Sequence, residues 1–321
     1  MKILFHSNQL GYRGTEVALF DYAYYNTTLL GNSSCVITKR NAKGSSLDII
    51  SKFMKHFTVY FYDDISEIDT VIAKNNIDLL YCIKGGKNDQ IASKKVRTCI
   101  HSVFMENDFH GDTYAYISNW LSNAVTGGAK PFVPHIVHLP ENNNDFRSHL
   151  GIPPEALVFG RYGGSNTFDV KFAHEAVVKT ASKRPDIYFI FMSTDVFHKP
   201  LFGKKLKNII HMPTTVDNDT KVTFINTCDA MLHARMRGET FGLAIGEFSA
   251  RGKPVVTYSG SPERAHMEML GDAGVYYRDQ EELTHVLQNF RPDPDKVYDR
   301  YSSVYSPESV MKQFKSVFID L

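Results

Sequence analysis

The chain has 321 residues, room for two domains with full cores. Hydrophobic residues make up 43% and charged residues 22%, which excludes a disordered chain, and a formal net charge of +1 leaves no bulk electrostatic case for nucleic acid. Four cysteines, Cys35, Cys82, Cys99 and Cys228, are far apart and form no Cys-x-x-Cys pair, so they read as small buried residues of a reducing compartment, not as a zinc site.

The chain opens on a short apolar run that gives way at once to polar residues, MKILFHSNQLGYRG, which reads as a first strand and not as a signal peptide. In the first half, strands are expected near Ile3–His6, Cys35–Thr38, Thr58–Phe61, Leu79–Ile83, Thr98–Ser102, Ala115–Ser118 and His135–His138. Helices are expected near Thr15–Thr27, Leu47–Lys55, Ile65–Asn75 and Asn119–Thr126. An Asn- and Pro-rich stretch, residues 139–154, then reads as a linker. The second half repeats the scheme, with strands near Leu157–Arg161, Ile187–Met192, Asn208–His211, Ala230–His233, Pro254–Thr257 and Val275–Tyr277. Its helices fall near Val170–Lys183, Asp217–Thr227, Phe241–Arg251 and Gln280–Gln288. After Pro307, Val310, Met311, Phe314 and Val317 share one face of an amphipathic helix.

Such alternation predicts an α/β fold of two Rossmann-like domains with parallel sheets, facing each other across a cleft. The expected domains are 1–142 and 150–305, with the helix at 307–321 packing back on the first. No apolar run approaches the roughly eighteen residues needed to span a bilayer, so a cytoplasmic protein is expected. Lys52, Phe53, Lys55 and Phe57 leave peripheral contact with a membrane surface open; their plainer reading is a helix end and a strand start.

The densest chemistry lies in GETFGLAIGEFSARGKPVV, residues 238–256. Read as one helix, it places Glu239 at the mouth and Glu247 about two turns down, within about 80° of each other around the axis. A helix N-terminus between two carboxylates suits a diphosphate, with sugar hydroxyls on one side and ribose hydroxyls on the other. A pair so spaced also arises by chance on a solvated helix. Against that, Glu247 sits among Leu243, Ala244, Ile245, Phe248 and Ala250, and a buried carboxylate needs partners.

Four other turns follow strands. Ser7 to Glu16 holds Gly11 and Gly14 but no Gly-x-Gly-x-x-Gly, so it reads equally as a phosphate or acceptor contact and as an ordinary turn. His101 ends the strand TCIHS; catalysis competes there with a structural role, and His6 is its local rival. Arg161, before Gly163-Gly164 and a helix bearing Lys171, suits bidentate phosphate contact or is a surface arginine. Met212 and Pro213 end a strand and could wall a base, while Arg235 and Arg237 add positive charge beside Glu239.

In this order of features the chain resembles the retaining glycosyltransferases of the GT-B fold, most closely glycosyltransferase family 4. The features are a glycine turn after the first strand, His101, Gly160-Arg161, Glu239 to Glu247, Gly252-Lys253-Pro254-Val255-Val256 and Gly260-Ser261-Pro262-Glu263. The resemblance is strongest over residues 205–280. It implies that Gly14 meets the donor diphosphate through its backbone and that Arg161 binds phosphate. Glu239 would hold donor-sugar hydroxyls, Phe241 and Gly242 would donate backbone N–H groups, Glu247 would bind ribose hydroxyls, and His101 would contact the sugar near the reacting carbon. It further implies transfer from a UDP-, GDP- or dTDP-sugar to a glycan, lipid or small-molecule hydroxyl, with no cofactor and no metal, because helix dipole and basic side chains offset the leaving-group charge. One position departs: where the family carries a lysine about five residues past the arginine, this chain has Asn166, so Lys171, Arg235 or Arg237 would have to substitute. A GT-B sugar-nucleotide epimerase and an inactive nucleotide- or glycan-binding homologue are the alternatives.

Overall fold

The computed structural model describes residues 1–198 and 206–320. These divide into two compact units: residues 1–136 with 304–321, and residues 137–303.

In the first unit, strands β1 (Lys2–Ser7), β2 (Ser33–Lys39), β3 (Thr58–Tyr62), β4 (Leu79–Lys84), β5 (Arg97–Ser102) and β6 (Thr113–Tyr116) alternate for the most part with helices α1 (Gly14–Thr28), α2 (Leu47–Met54), α3 (Ser66–Lys74) and α4 (Asn119–Thr126). All six strands are parallel, in the order β3-β2-β1-β4-β5-β6. Helix crossovers cover both faces of such a sheet, which is why β4 is buried at every residue and reads as a continuous apolar run.

Two expectations shift here. The strand expected at Ala115–Ser118 lies two residues earlier, because Ser118 leaves the sheet to cap α4, its Oγ accepting from the Leu121 N–H at 3.1 Å. His135–His138 forms no strand. Pro131 and Pro134 lack the N–H that a ladder needs, and only a single bridge, Tyr116 to Phe132, joins this stretch to β6.

The second unit opens with α5 (Arg147–Leu150), inside the expected linker. That stretch is tied down. Asn226 donates to the carbonyls of Asn142 and Asn144 at 2.9 and 3.0 Å, and Arg147 reaches Asp229 at 2.9 Å. There follow β7 (Leu157–Tyr162), α6 (Lys171–Lys183), β8 (Ile187–Met192), β9 (Ile209–Met212), α7 (Asn218–Thr227), β10 (Ala230–His233), β11 (Gly238–Glu239), α8 (Leu243–Ala250), β12 (Val255–Tyr258), β13 (Glu263–Arg264), α9 (Ala265–Leu270), β14 (Val275–Tyr277) and α10 (Gln280–Asn289). Its main sheet, β14-β12-β10-β7-β8-β9, is again parallel and has the same winding as the first.

Helix α11 (Pro307–Phe314) belongs to the first unit. It continues into a π-turn at Lys315–Ile319, and the wider turn brings Phe318, not Val317, to the buried face. Phe314 and Phe318 pack on Tyr81 with ring centroids 5.1 and 5.2 Å away. Burying each such ring contributes roughly 1.5–3 kcal/mol. Gln313 donates to the Phe132 carbonyl at 2.6 Å, and Arg97 holds the carbonyl of Ile319 at 3.0 Å.

Burial of neutral histidines makes the fold acid-sensitive. Burial lowers His6 and His101 to about 4 and His135 and His266 to about 3. Below pH 6.5 the unfolded chain takes up protons that the folded chain refuses, so stability falls as pH falls from 6.5 toward 4, by about 1.4 kcal/mol per pH unit for each group. Glu16 works in the opposite sense: burial raises its carboxyl to about 7, so its contribution is full below pH 4.5 and is lost as pH rises through 7. The first unit, with three of these histidines against one glutamate, should lose roughly 3 kcal/mol per pH unit between pH 6 and 4.5. Urea midpoints measured from pH 7.5 to 4.5 check this; a flat profile would contradict it.

Candidate functional site

Open α/β sheets bind ligands beyond the carboxyl ends of the strands where the winding reverses. In the second unit those strands are β7 and β10. Arg161 and Tyr162 end β7 and the Gly163-Gly164 turn follows; beyond β10 lie Arg235 and, in β11, Glu239.

Glu239 does not begin the helix. It sits in β11, paired in parallel with β13, and α8 starts only at Leu243 after Gly242, whose φ is +91°. The two glutamates therefore do not share a helical face. Gly238 fixes the geometry: its φ is +81°, and a Cβ there would lie 2.0 Å from the Glu263 carbonyl oxygen, so only glycine fits. The Gly260–Glu263 turn is bound beside it, Ser261 donating to the Arg235 carbonyl at 2.7 Å and Arg237 meeting Glu263 at 2.7 Å.

The Glu239 side chain is 22% exposed, with Oε2 at 2.8 Å from Arg235 and Oε1 at 3.3 Å from His233 Nε2. Burial works to raise this carboxyl, but the His233 hydrogen bond and the Arg235 charge outweigh it and hold it at about 2. A directed chain backs it. His233 Nδ1 is 2.8 Å from Thr257 Oγ1, which is 3.2 Å from His266 Nε2. Since the Glu239 carboxylate only accepts, His233 donates to it from Nε2. No motif marks Thr257 or His266 in the sequence, and the one signal for His233 is its position at a strand end.

Arg161 is 3% exposed. Its guanidinium donates to Thr194, to Thr167 and, at 3.0 Å, to the Gly164 carbonyl, and stands over the Phe168 ring. Burial lowers it to about 10, against the attraction of the Glu239 carboxylate. Lys171 stands exposed at the first turn of α6, and Asn166 is exposed in the turn before it. Arg237 is half exposed, Met212 is half-buried at the end of β9 and Pro213 is exposed. Phe241 turns its side chain inward, edge-on to Tyr301 at 6.1 Å. Gly242 has His266 and Glu239 carbons 3.3–3.4 Å from where a Cβ would be.

Glu247 is 5% exposed at its side chain, and both oxygens are taken: Lys221 lies 2.8 Å from Oε1 and Tyr162 donates to Oε2. Nothing in the sequence pattern singled out Lys221.

In the first unit Gly14 opens α1 with no atom within 4 Å of where a Cβ would stand. His101 departs from the expected display at a strand end. It is fully buried, with Nδ1 2.6 Å from Tyr81 Oη and Nε2 2.8 and 3.2 Å from the Val133 and Tyr116 carbonyls. Tyr22, Tyr81 and Phe318 rings enclose it, and every ring nitrogen is spent inside the core. His101→Ala should therefore lower the melting temperature and weaken every activity in parallel, as loss of a buried aromatic with its hydrogen bonds costs about 3 kcal/mol or more. A variant that melts with the parent but loses turnover alone would restore the catalytic reading.

The two parallel sheets of Rossmann winding define a GT-B fold, and solved structures share it along the whole chain. An Anabaena protein, HepE, in complex with UDP, is 17% identical, with TM-score 0.72 over 100% of both chains. A glycosyltransferase from Rickettsia africae is 11% identical, with TM-score 0.68 over 100% of this chain and 99% of that one. A putative UDP-N-acetylglucosamine 2-epimerase from Listeria monocytogenes is 13% identical, with TM-score 0.62 over 100% and 97%. At these identities the likeness is one of fold. No family model and no curated protein matches the chain.

Proposed function

We propose that the protein is a glycosyltransferase of the family 4 type, moving a sugar from a nucleotide-sugar, UDP-linked in the first instance, to a hydroxyl acceptor with retention and without a metal ion. The observation that carries this reading is Glu239, an ionised and partly exposed carboxylate held by Arg235 and His233 where the second sheet reverses. The structural neighbour HepE, solved with UDP and with UDP-glucose, supports a nucleotide-sugar ligand.

In this reading Glu239 takes donor-sugar hydroxyls. The sugar carbon's bond to the diphosphate breaks as the acceptor oxygen bonds on the same face, and the acceptor proton passes to the departing phosphate. Arg235 and Arg237, 23% and 50% exposed, offset the leaving charge with Arg161 and supply what Asn166 cannot. Backbone N–H groups of Phe241 and Gly242 would meet the diphosphate, and Lys171 is a reserve cation. Met212 and Pro213 flank the base, and Glu247 would bind ribose by exchanging its Lys221 contact. Membrane attachment from the cytoplasmic side would use α2, where Leu47 and Met54, 83% and 52% exposed, share a face.

Incubation with UDP-, GDP- and dTDP-sugars, with EDTA present, tests the reading. Slow donor hydrolysis is expected. Turnover abolished by EDTA and restored by manganese or magnesium would overturn metal independence. The Listeria neighbour gives the epimerase reading its footing, and an interconverted donor would favour it. Binding without turnover would mark a recognition module.

A further inference from the structure

Three elements of the second unit meet behind Glu239. His233 ends β10 and Thr257 is its register partner in β12, so the two side chains stand on the same face of the sheet. His266 lies in the first turn of α9. Their contacts run in a line: His266 Nε2 is 3.2 Å from Thr257 Oγ1, Thr257 Oγ1 is 2.8 Å from His233 Nδ1, and His233 Nε2 is 3.3 Å from Glu239 Oε1. All three supporting side chains are buried. Tyr277 Oη donates to the His233 carbonyl at 3.0 Å, which ties down the backbone of that residue as well.

Glu239 has two holders, and they differ in stiffness. Arg235 takes Oε2 and His233 takes Oε1, so together they set the plane of the carboxylate. The Arg235 side chain is 23% exposed and reaches out of a loop on a long arm, whereas that of His233 is 6% exposed and ends a strand. Arg235 by itself would leave the carboxylate free to turn about its one held oxygen.

We propose that Thr257 and His266 are positioning residues for Glu239, acting through His233. His266 Nδ1 has no partner among the described residues, so a proton there would be a buried donor without an acceptor. Carried on Nε2, that proton goes to Thr257, whose hydroxyl then donates to His233 Nδ1, and His233 keeps its own proton on Nε2 for Glu239. Every donor in the chain points toward the carboxylate, and the His233 ring is held at both nitrogens. That the oriented carboxylate takes sugar hydroxyls rests on the glycosyltransferase reading; its orientation does not.

Two interruptions of the chain, Thr257→Val and His266→Leu, test this beside two variants that keep the hydrogen bonds, Thr257→Ser and His266→Gln. Crystal structures of the interrupted proteins should show the Glu239 carboxylate turned away from its place in the parent. Turnover of the preferred nucleotide-sugar should fall about ten- to hundredfold in each, the scale of a misplaced site group, while UDP, which lacks the sugar, binds within about twofold of the parent. Thr257→Ser and His266→Gln should recover turnover to within about threefold. Glu239 unmoved in both interrupted proteins overturns the positioning role, as does turnover within about threefold of the parent. UDP affinity and melting temperature falling in step with turnover, with Thr257→Ser no better than Thr257→Val, would mark packing instead and equally overturn it. Should the parent turn over no sugar nucleotide, the crystal structures decide the positioning, and it is the transferase reading that falls.

Discussion

Glu239→Gln is expected to lower turnover of the preferred nucleotide-sugar by about 10²–10³-fold, the range for removing one preorganised electrostatic contact. The change keeps shape and removes charge. Glu239 is held at about 2 by His233 and Arg235, so it is ionised at every working pH and can accept two sugar hydroxyls at once. Glutamine offers one acceptor and presents an N–H₂ to a ring of donors. The ion pair is mostly buried, so losing the charge should also cost stability, by roughly 1.5–3 kcal/mol. Turnover, UDP affinity and melting temperature on this variant separate the effects. Turnover within threefold of the parent, in a protein that melts normally, would remove Glu239 from the site.

Glu247→Ala should cost about 3–5 kcal/mol, because it leaves the Lys221 ammonium buried without its partner and orphans the Tyr162 hydroxyl. For a unit of this size that is a fall of roughly 10 °C in melting temperature. Removing both charges, in Lys221→Met with Glu247→Leu, should cost less than Glu247→Ala alone, since no unpaired charge remains. Urea melts of the three proteins decide this. If Glu247→Ala melts with the parent and loses UDP affinity only, the carboxylate serves the ligand and not the fold.

Sequence periodicity placed the strands of both sheets to within about two residues, since an alternating βα pattern is a local signal and parallel strands need crossover helices. His135–His138 misled because apolar composition was read without the prolines beside it. Glu239 stood out through its glycine-rich surroundings, and Glu247 as a carboxylate among apolar neighbours that had to have partners.

Who those partners are was decided by tertiary structure alone. Lys221 lies 26 positions from Glu247, and Thr257 lies 24 from His233. Parallel winding brings strand ends together that are distant in the chain, so the contacts follow from sheet order, which no local pattern encodes. The same holds for His101. Its strand-end position is legible, but whether a residue there faces a ligand or the core depends on which helix covers that face. Here the covering segment is the C-terminal one, carrying Phe314 and Phe318 back onto the first sheet from more than two hundred residues away.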